Sequence, residues 1–181
     1  MRKVLYILGQ LSDEDVDWLA RGGRRRRVAT GEVLIVQGRP IRSVFFLLDG
    51  RMAVDIEGVG QVAELGVGEI MGEMSLVDSR PPSASVRAIE AALALEVDQD
   101  LIRDRLRDDL GFSARFHKAI ATFLSDRMRA TVQSLGYGRL GGDGLNQDEE
   151  MADELDLNVL DNVHLAGARF ERMLKRLAGA A

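Results

Sequence analysis

The sequence predicts a mainly β fold with flanking helices: an antiparallel β-roll, or jelly roll, followed by a long C-terminal helix and a separate tail helix. Three observations carry this. Short apolar runs between Arg25 and Val97 follow one another with the period of strands. Glycine and proline turns punctuate them at the regular spacing of a roll or small barrel. After Asp98 the apolar spacing lengthens to that of helices.

Along the chain, Ser12 stands before Asp13, Glu14 and Asp15 and the apolar Val16 and Leu19, the pattern of an N-cap with acids in the first helical turn. Gly22 and Gly23 end that short helix. Strands are expected at 33–36, 44–48, 52–56, 61–65, 84–88 and 92–97. The turns between them carry Gly31, Gly38 with Pro40, Asp49-Gly50, Gly58 with Gly60, Gly66 with Gly68, and Pro81-Pro82. A short helix follows near 99–107 and a long one over 112–135. Phe116, Ile120, Phe123, Leu124, Met128, Val132 and Leu135 form a stripe on the long helix that must be buried, either on the roll or against its twin in a homodimer. Residues 136–144 read as a glycine-rich linker and 148–156 as an acidic run. The tail helix then has its acids leading and Arg169, Arg172, Lys175 and Arg176 trailing, in the order the helix dipole favours. The expected organisation is therefore a roll with its helices over 1–135, a linker over 136–156 and an amphipathic tail helix over 157–181, docked on its own roll or on a protein partner.

Composition excludes several functions. With 181 residues, 46% of them hydrophobic and 29% charged, the chain can bury a core and has no disordered signature. The absence of cysteine removes disulfides, thiolate metal sites and cysteine nucleophiles, and fits a reducing, cytoplasmic setting. The apolar run near the start is too short for a secretory signal, and no stretch approaches the ~20 apolar residues of a membrane span. A net charge of -5 argues against nucleic-acid binding. Arg24 to Arg27 enter a strand, where alternate side chains face opposite ways, so they read as a solvated edge. The residues after 135 hold one clear helix, too little for a helix-turn-helix module. His117 and His164, the only histidines, lie in helices outside the roll, which argues against a metal-dependent barrel enzyme. Gly136-Tyr137-Gly138-Arg139-Leu140-Gly141 spells a dinucleotide fingerprint but follows a helix rather than a strand. No nucleophile, base and orienting group come together in a motif, and no enzyme is expected.

The informative stretch runs from Gly68-Glu69-Ile70-Met71-Gly72-Glu73-Met74-Ser75 through Arg80-Pro81-Pro82-Ser83-Ala84-Ser85-Val86-Arg87-Ala88. It resembles the phosphate-binding cassette of the cyclic-nucleotide-binding family, and Gly31, Gly38, Gly50, Gly68 and Gly72 fall where that family places its turn glycines. The resemblance covers roughly residues 16–135. It implies a site built from Met71, Gly72, Glu73, Met74, Ser75, Arg80, Pro82, Ser83, Ala84 and Ser85, with a cyclic nucleotide as regulatory ligand and no other cofactor. A cyclic phosphate is an anion that backbone N–H groups at a short helical turn can hold, and residues 72–76 are placed to supply them. By resemblance, Glu73 accepts from the ribose 2′-hydroxyl. Ser83 and Ser85 add donors to the phosphate, and Ala84 leaves room for close approach. The base would sit against the long helix, where Thr122, Ser125, Arg127 and Thr131 are the polar positions.

One position departs from the family. Pro82 stands where members carry the arginine that pairs with the phosphate, and the nearest arginine is Arg80. Proline offers no donor. A charge-assisted bond of about 1.5 to 3 kcal/mol corresponds to roughly tenfold to a hundredfold or more in affinity. Three readings stay open: Arg80 swings in, a different anion such as a cyclic dinucleotide is preferred, or the chain is an interaction domain with a degenerate pocket. The first implies a sensor of cyclic AMP or cyclic GMP that signals to a protein partner through helix rearrangement.

Overall fold

The computed structural model describes residues 4–134 and 157–179. The expected linker at 136–144, the acidic run at 148–156 and Leu135 lie outside them. The chain opens with α1 (Val4–Gln10) and α2 (Asp13–Gly22). It then forms β1 (Arg24–Val28), β2 (Val33–Ile35), β3 (Ser43–Asp49), β4 (Met52–Ile56), β5 (Gly60–Leu65) and β6 (Ile70–Met71). The short α3 (Glu73–Asp78) precedes β7 (Ser85–Ala88) and β8 (Ala92–Asp98). Three helices complete it: α4 (Gln99–Asp108), α5 (Leu110–Ser134) and α6 (Leu157–Ala178).

The strands make two antiparallel sheets, β1-β8-β3-β6 and β2-β7-β4-β5, as a β-roll requires. The continuous apolar run in β3 has a direct cause in the pleat, which sends successive side chains to opposite faces. Val44, Phe46 and Leu48 enter a core shared with the helices, while Phe45 and Leu47 enter the core between the sheets. β8 divides in the same way, with Leu95 and Val97 on the helical side and Ala92 and Ala94 inside the roll. This sheet is therefore buried on both faces. β1 lies at its edge and exposes Arg24 to Arg27 together; Arg24 pairs with Glu96 and Arg26 with Glu32.

The apolar run near the N-terminus, read only as too short for a signal, is α1, which buries Ile7 and Leu8 against the helical core. Ser12 caps α2 as expected and completes a capping box with Asp15. The Asp15 carboxylate is fully buried. It also accepts from Arg105 of α4 at 2.9 Å and from Arg115 of α5 at 2.7 and 3.1 Å. The Arg105 guanidinium lies against the faces of both Trp18 and Phe112, 4.5 and 4.3 Å from their centroids. Three helices thus share one anion.

The stripe on α5 divides along its length. Phe116, Ile120 and Phe123 are buried in the helical core, whereas Met128 and Val132 are 67% and 47% exposed. The tail helix docks on its own chain, against α1 and α2. Ala166, Met173 and Leu177 join the helical core. Arg169 donates to Asp13 and to the carbonyls of Leu8 and Gly9 at the end of α1. Arg172 and Arg176 both donate to Asp17 of α2, at distances of 2.8 to 3.3 Å. Those arginines hold the Asp17 carboxyl down at about 2, the Arg172 hydrogen bond first, against the opposing effect of burial. Among the described residues no helix is long and apolar enough to cross a membrane.

Two outcomes follow from these ion pairs. Asp15→Ala leaves Arg105 and Arg115 without their shared carboxylate and is expected to cost about 3 to 5 kcal/mol, read from the denaturant midpoint. Asp17 has a lowered folded-state pKa, so its stabilisation of the α6 dock is complete well above 3.8 and is lost as pH falls towards about 2. Asp17→Asn should raise amide exchange over 165–178 at neutral pH, as acidification does in the parent, while β3 and β8 stay protected.

Candidate functional site

A cavity of about 360 Å³ opens between the second sheet, α3 and α5. Its floor is apolar, from Ile35 of β2, Val54 of β4 and Met71 of β6. One wall is the turn into α3. Gly72 caps that helix with φ +83°, and an added Cβ would lie 2.8 Å from the Ser43 carbonyl oxygen and 2.8 Å from Ile41 Cδ1. Only glycine combines that backbone with that contact. The Gly72 carbonyl in turn accepts from the buried Gln99 at the start of α4, at 3.4 Å, and Gln99 Oε1 accepts from Arg103 at 2.8 Å. The α3 turn is thereby tied to the first helix after the roll.

Glu73, the first residue of α3, is 2% exposed and lines the cavity. Its Oε1 accepts from Arg127 Nη1 of α5 at 3.1 Å. Burial pushes the Glu73 carboxyl above its ordinary range, only partly opposed by Arg127. The Arg127 guanidinium also stacks 4.9 Å above the Phe123 ring. Phe123, Arg127 and Thr131 recur at every fourth residue and so share one face of α5, and Arg127 and Thr131 both line the cavity.

Of the ten expected site residues, Met71, Gly72, Glu73, Met74, Ser75, Pro82, Ser83 and Ala84 come together around this cavity. Arg80 and Ser85 do not line it. The Arg80 side chain is 84% exposed, with its guanidinium 4.0 Å from the Asp78 carboxylate. Ser85 Oγ accepts from the Gln37 backbone N–H at 3.0 Å, which fixes the loop beside β7. Pro82 is held by its carbonyl, which accepts from the Gly38 N–H at 2.9 Å. Of the four polar positions on the long helix, Thr122 turns its hydroxyl back to the Lys118 carbonyl and Ser125 is exposed, leaving Arg127 and Thr131 at the cavity. Sequence reasoning gave Gln99 no role; nothing in its neighbourhood marks it. Glu69 is buried, lines the cavity and closes the 66–69 turn by accepting from the Gly66 N–H. Among the described residues no group of three or more metal-ligating side chains comes together.

Residues 25–109 match the family described as the cyclic nucleotide-binding domain. The chain is 27% identical over 124 residues to glutaminase 2 of Bradyrhizobium diazoefficiens, an alignment covering 68% of the chain and 20% of that protein. The chain spans about a fifth of the length of the first curated relatives it matches. Its fold is that of a cyclic nucleotide-binding domain from Methylobacillus flagellatus, with a TM-score of 0.66 at 23% identity over 79% of this chain and 85% of that one. The N-terminal domain of a transcriptional regulator from Streptomyces coelicolor shares it too, with a TM-score of 0.58 at 22% identity over 80% and 100% of the two chains.

Gly72→Ala tests the turn directly. The strained backbone alone is expected to cost about 1 to 3 kcal/mol, and the contact with Ser43 adds to it, so the thermal midpoint should fall by several degrees.

Proposed function

We propose that this chain is a non-catalytic, cytoplasmic regulatory sensor that binds cyclic AMP or cyclic GMP in the cavity beside α3 and passes the signal to a protein partner through its helices. The observation that carries this reading is the buried Glu73, presented by the cassette turn and met by Arg127 from α5. In this reading Glu73 accepts from the ribose 2′-hydroxyl, and the α3 turn, Ser83 and Ala84 face the cyclic phosphate. The base lies towards Thr131. A volume of about 360 Å³ sits at the small end of the roughly 300–1,000 Å³ usual for ligand sites, which favours a mononucleotide over a dinucleotide.

A ligand shifts helices only as far as it binds one arrangement better than another. Here the ribose hydroxyl would share the Glu73 carboxylate with Arg127, so occupancy is felt on α5. The exposed Met128 and Val132 give that end of the helix an apolar face for a second copy of the chain, the homodimer expected from the stripe.

One observation favours a second reading, an interaction domain that keeps the fold without the ligand: Glu64, Glu69 and Glu73 line the cavity against a single guanidinium, with Pro82 in place of the cassette arginine. Calorimetric titration of nucleotide-stripped protein with cyclic AMP, cyclic GMP and a cyclic dinucleotide separates the two. Saturable binding of a mononucleotide, weakened at least about tenfold by Glu73→Ala, is expected. The absence of heat with every ligand, in protein that melts cooperatively, would select the interaction domain.

A further inference from the structure

The cassette brings no cation of its own into the cavity. Pro82 occupies the entry to β7, and Arg80 points away towards Asp78 with 84% of its side chain exposed. Among the described residues lining the cavity, Arg127 is the only basic one. It reaches there from α5, some way along the chain from the cassette, and it is held in place from two sides. Phe123 lies beneath its guanidinium plane at 4.9 Å, and Glu73 accepts from Nη1 at 3.1 Å. A guanidinium carries five N–H donors in a fixed fork. Glu73 takes one of them.

Resting on the reading that the cavity takes a cyclic nucleotide, we propose that Arg127 is the counter-charge of the ligand's phosphate, so that the anion is held from the long helix and not from the cassette strand. The fork lets one guanidinium keep Glu73 on one nitrogen and offer the others to a phosphate oxygen. The charge balance points the same way. Glu69 and Glu73 line the cavity beside this one guanidinium, while Glu64, half exposed, pairs with Arg51 at 3.8 Å, so an anion is favoured only where Arg127 faces it. Arg127 also makes α5 a direct reader of ligand charge: a neutral molecule of the same shape would fill the cavity without drawing on the helix.

The test is calorimetric titration of the full chain with cyclic AMP, cyclic GMP and the neutral methyl phosphotriesters of both, in the parent, Arg127→Ala, Arg127→Gln and Arg80→Ala, each checked for cooperative thermal unfolding. The parent is expected to prefer the charged nucleotide over its triester. Arg127→Ala should lose about tenfold to a hundredfold in affinity for the charged form and bind both forms alike, while Arg80→Ala stays within about threefold of the parent. Arg127→Gln, which can still hydrogen-bond to Glu73, should show the same loss and serves if the alanine variant does not fold. A charge preference that survives in the Arg127 variants, or disappears in Arg80→Ala, overturns the proposal and leaves the sensor reading standing. Equal loss of the charged and neutral forms assigns Arg127 a structural role only and also overturns it. No binding of any nucleotide by the folded parent removes the sensor reading and this proposal together.

Discussion

Because β3 and β8 send alternate side chains into two separate cores, the sheet they share is the partition on which the rest of the molecule is assembled. On one side it closes the roll, with Phe45, Leu47 and Ala94 packing towards the second sheet. On the other it closes the helical core, through Val44, Phe46, Leu95 and Val97. A strand in that position has no solvent side on which to place polar residues, which is why its sequence is a block and not an alternation. A one-residue slip of β3 would exchange the two cores wholesale, so the register is set by both at once.

The helical layer is then organised by buried or half-buried carboxylates. Asp15 gathers α2, α4 and α5; Asp17, with Asp13, holds α6. The two clusters use the same helix, α2, but differ in character. Asp15 is enclosed and one of its arginines, Arg105, lies against two aromatic rings, whereas Arg172 and Arg176 remain about half exposed around Asp17. Screening by salt weakens the second more than the first. The dock of α6 therefore depends more on its apolar residues Ala166, Met173 and Leu177 than the number of ion pairs suggests.

Most of the roll was legible because its signals are local. The strand run 52–56, for example, sits between two glycines held at positive φ, Gly50 and Gly58. Ser12 with Asp15 marked its helix for the same reason. What escaped was settled by tertiary contact. β6 is two residues long and exists only because Phe45 and Phe46 pair with it. α1 is about two turns of helix packed against α5 and α6. Eight of the ten residues expected from the cassette motif line the cavity. Arg80 could be placed near the strand by its number but not aimed, since an exposed side chain follows solvent and Asp78. Arg127 was one of four polar candidates on its helix, and only the packing of Phe123 and Glu73 distinguishes it from Thr122 or Ser125.

The three-way grip on Asp15 has a mechanical consequence for α5. Arg115 lies in the second turn of that helix, and Phe112, Phe116 and Phe123 bury its first half, so this end is clamped to the body of the molecule. Beyond Phe123 the helix meets the cavity through Arg127 and Thr131, while Ser125, Met128 and Val132 are exposed. A rod fixed at one end and loaded near the other bends rather than translates. A displacement at Arg127 would be larger at residue 134 than at Arg127 itself, with the Arg115 clamp as its fulcrum.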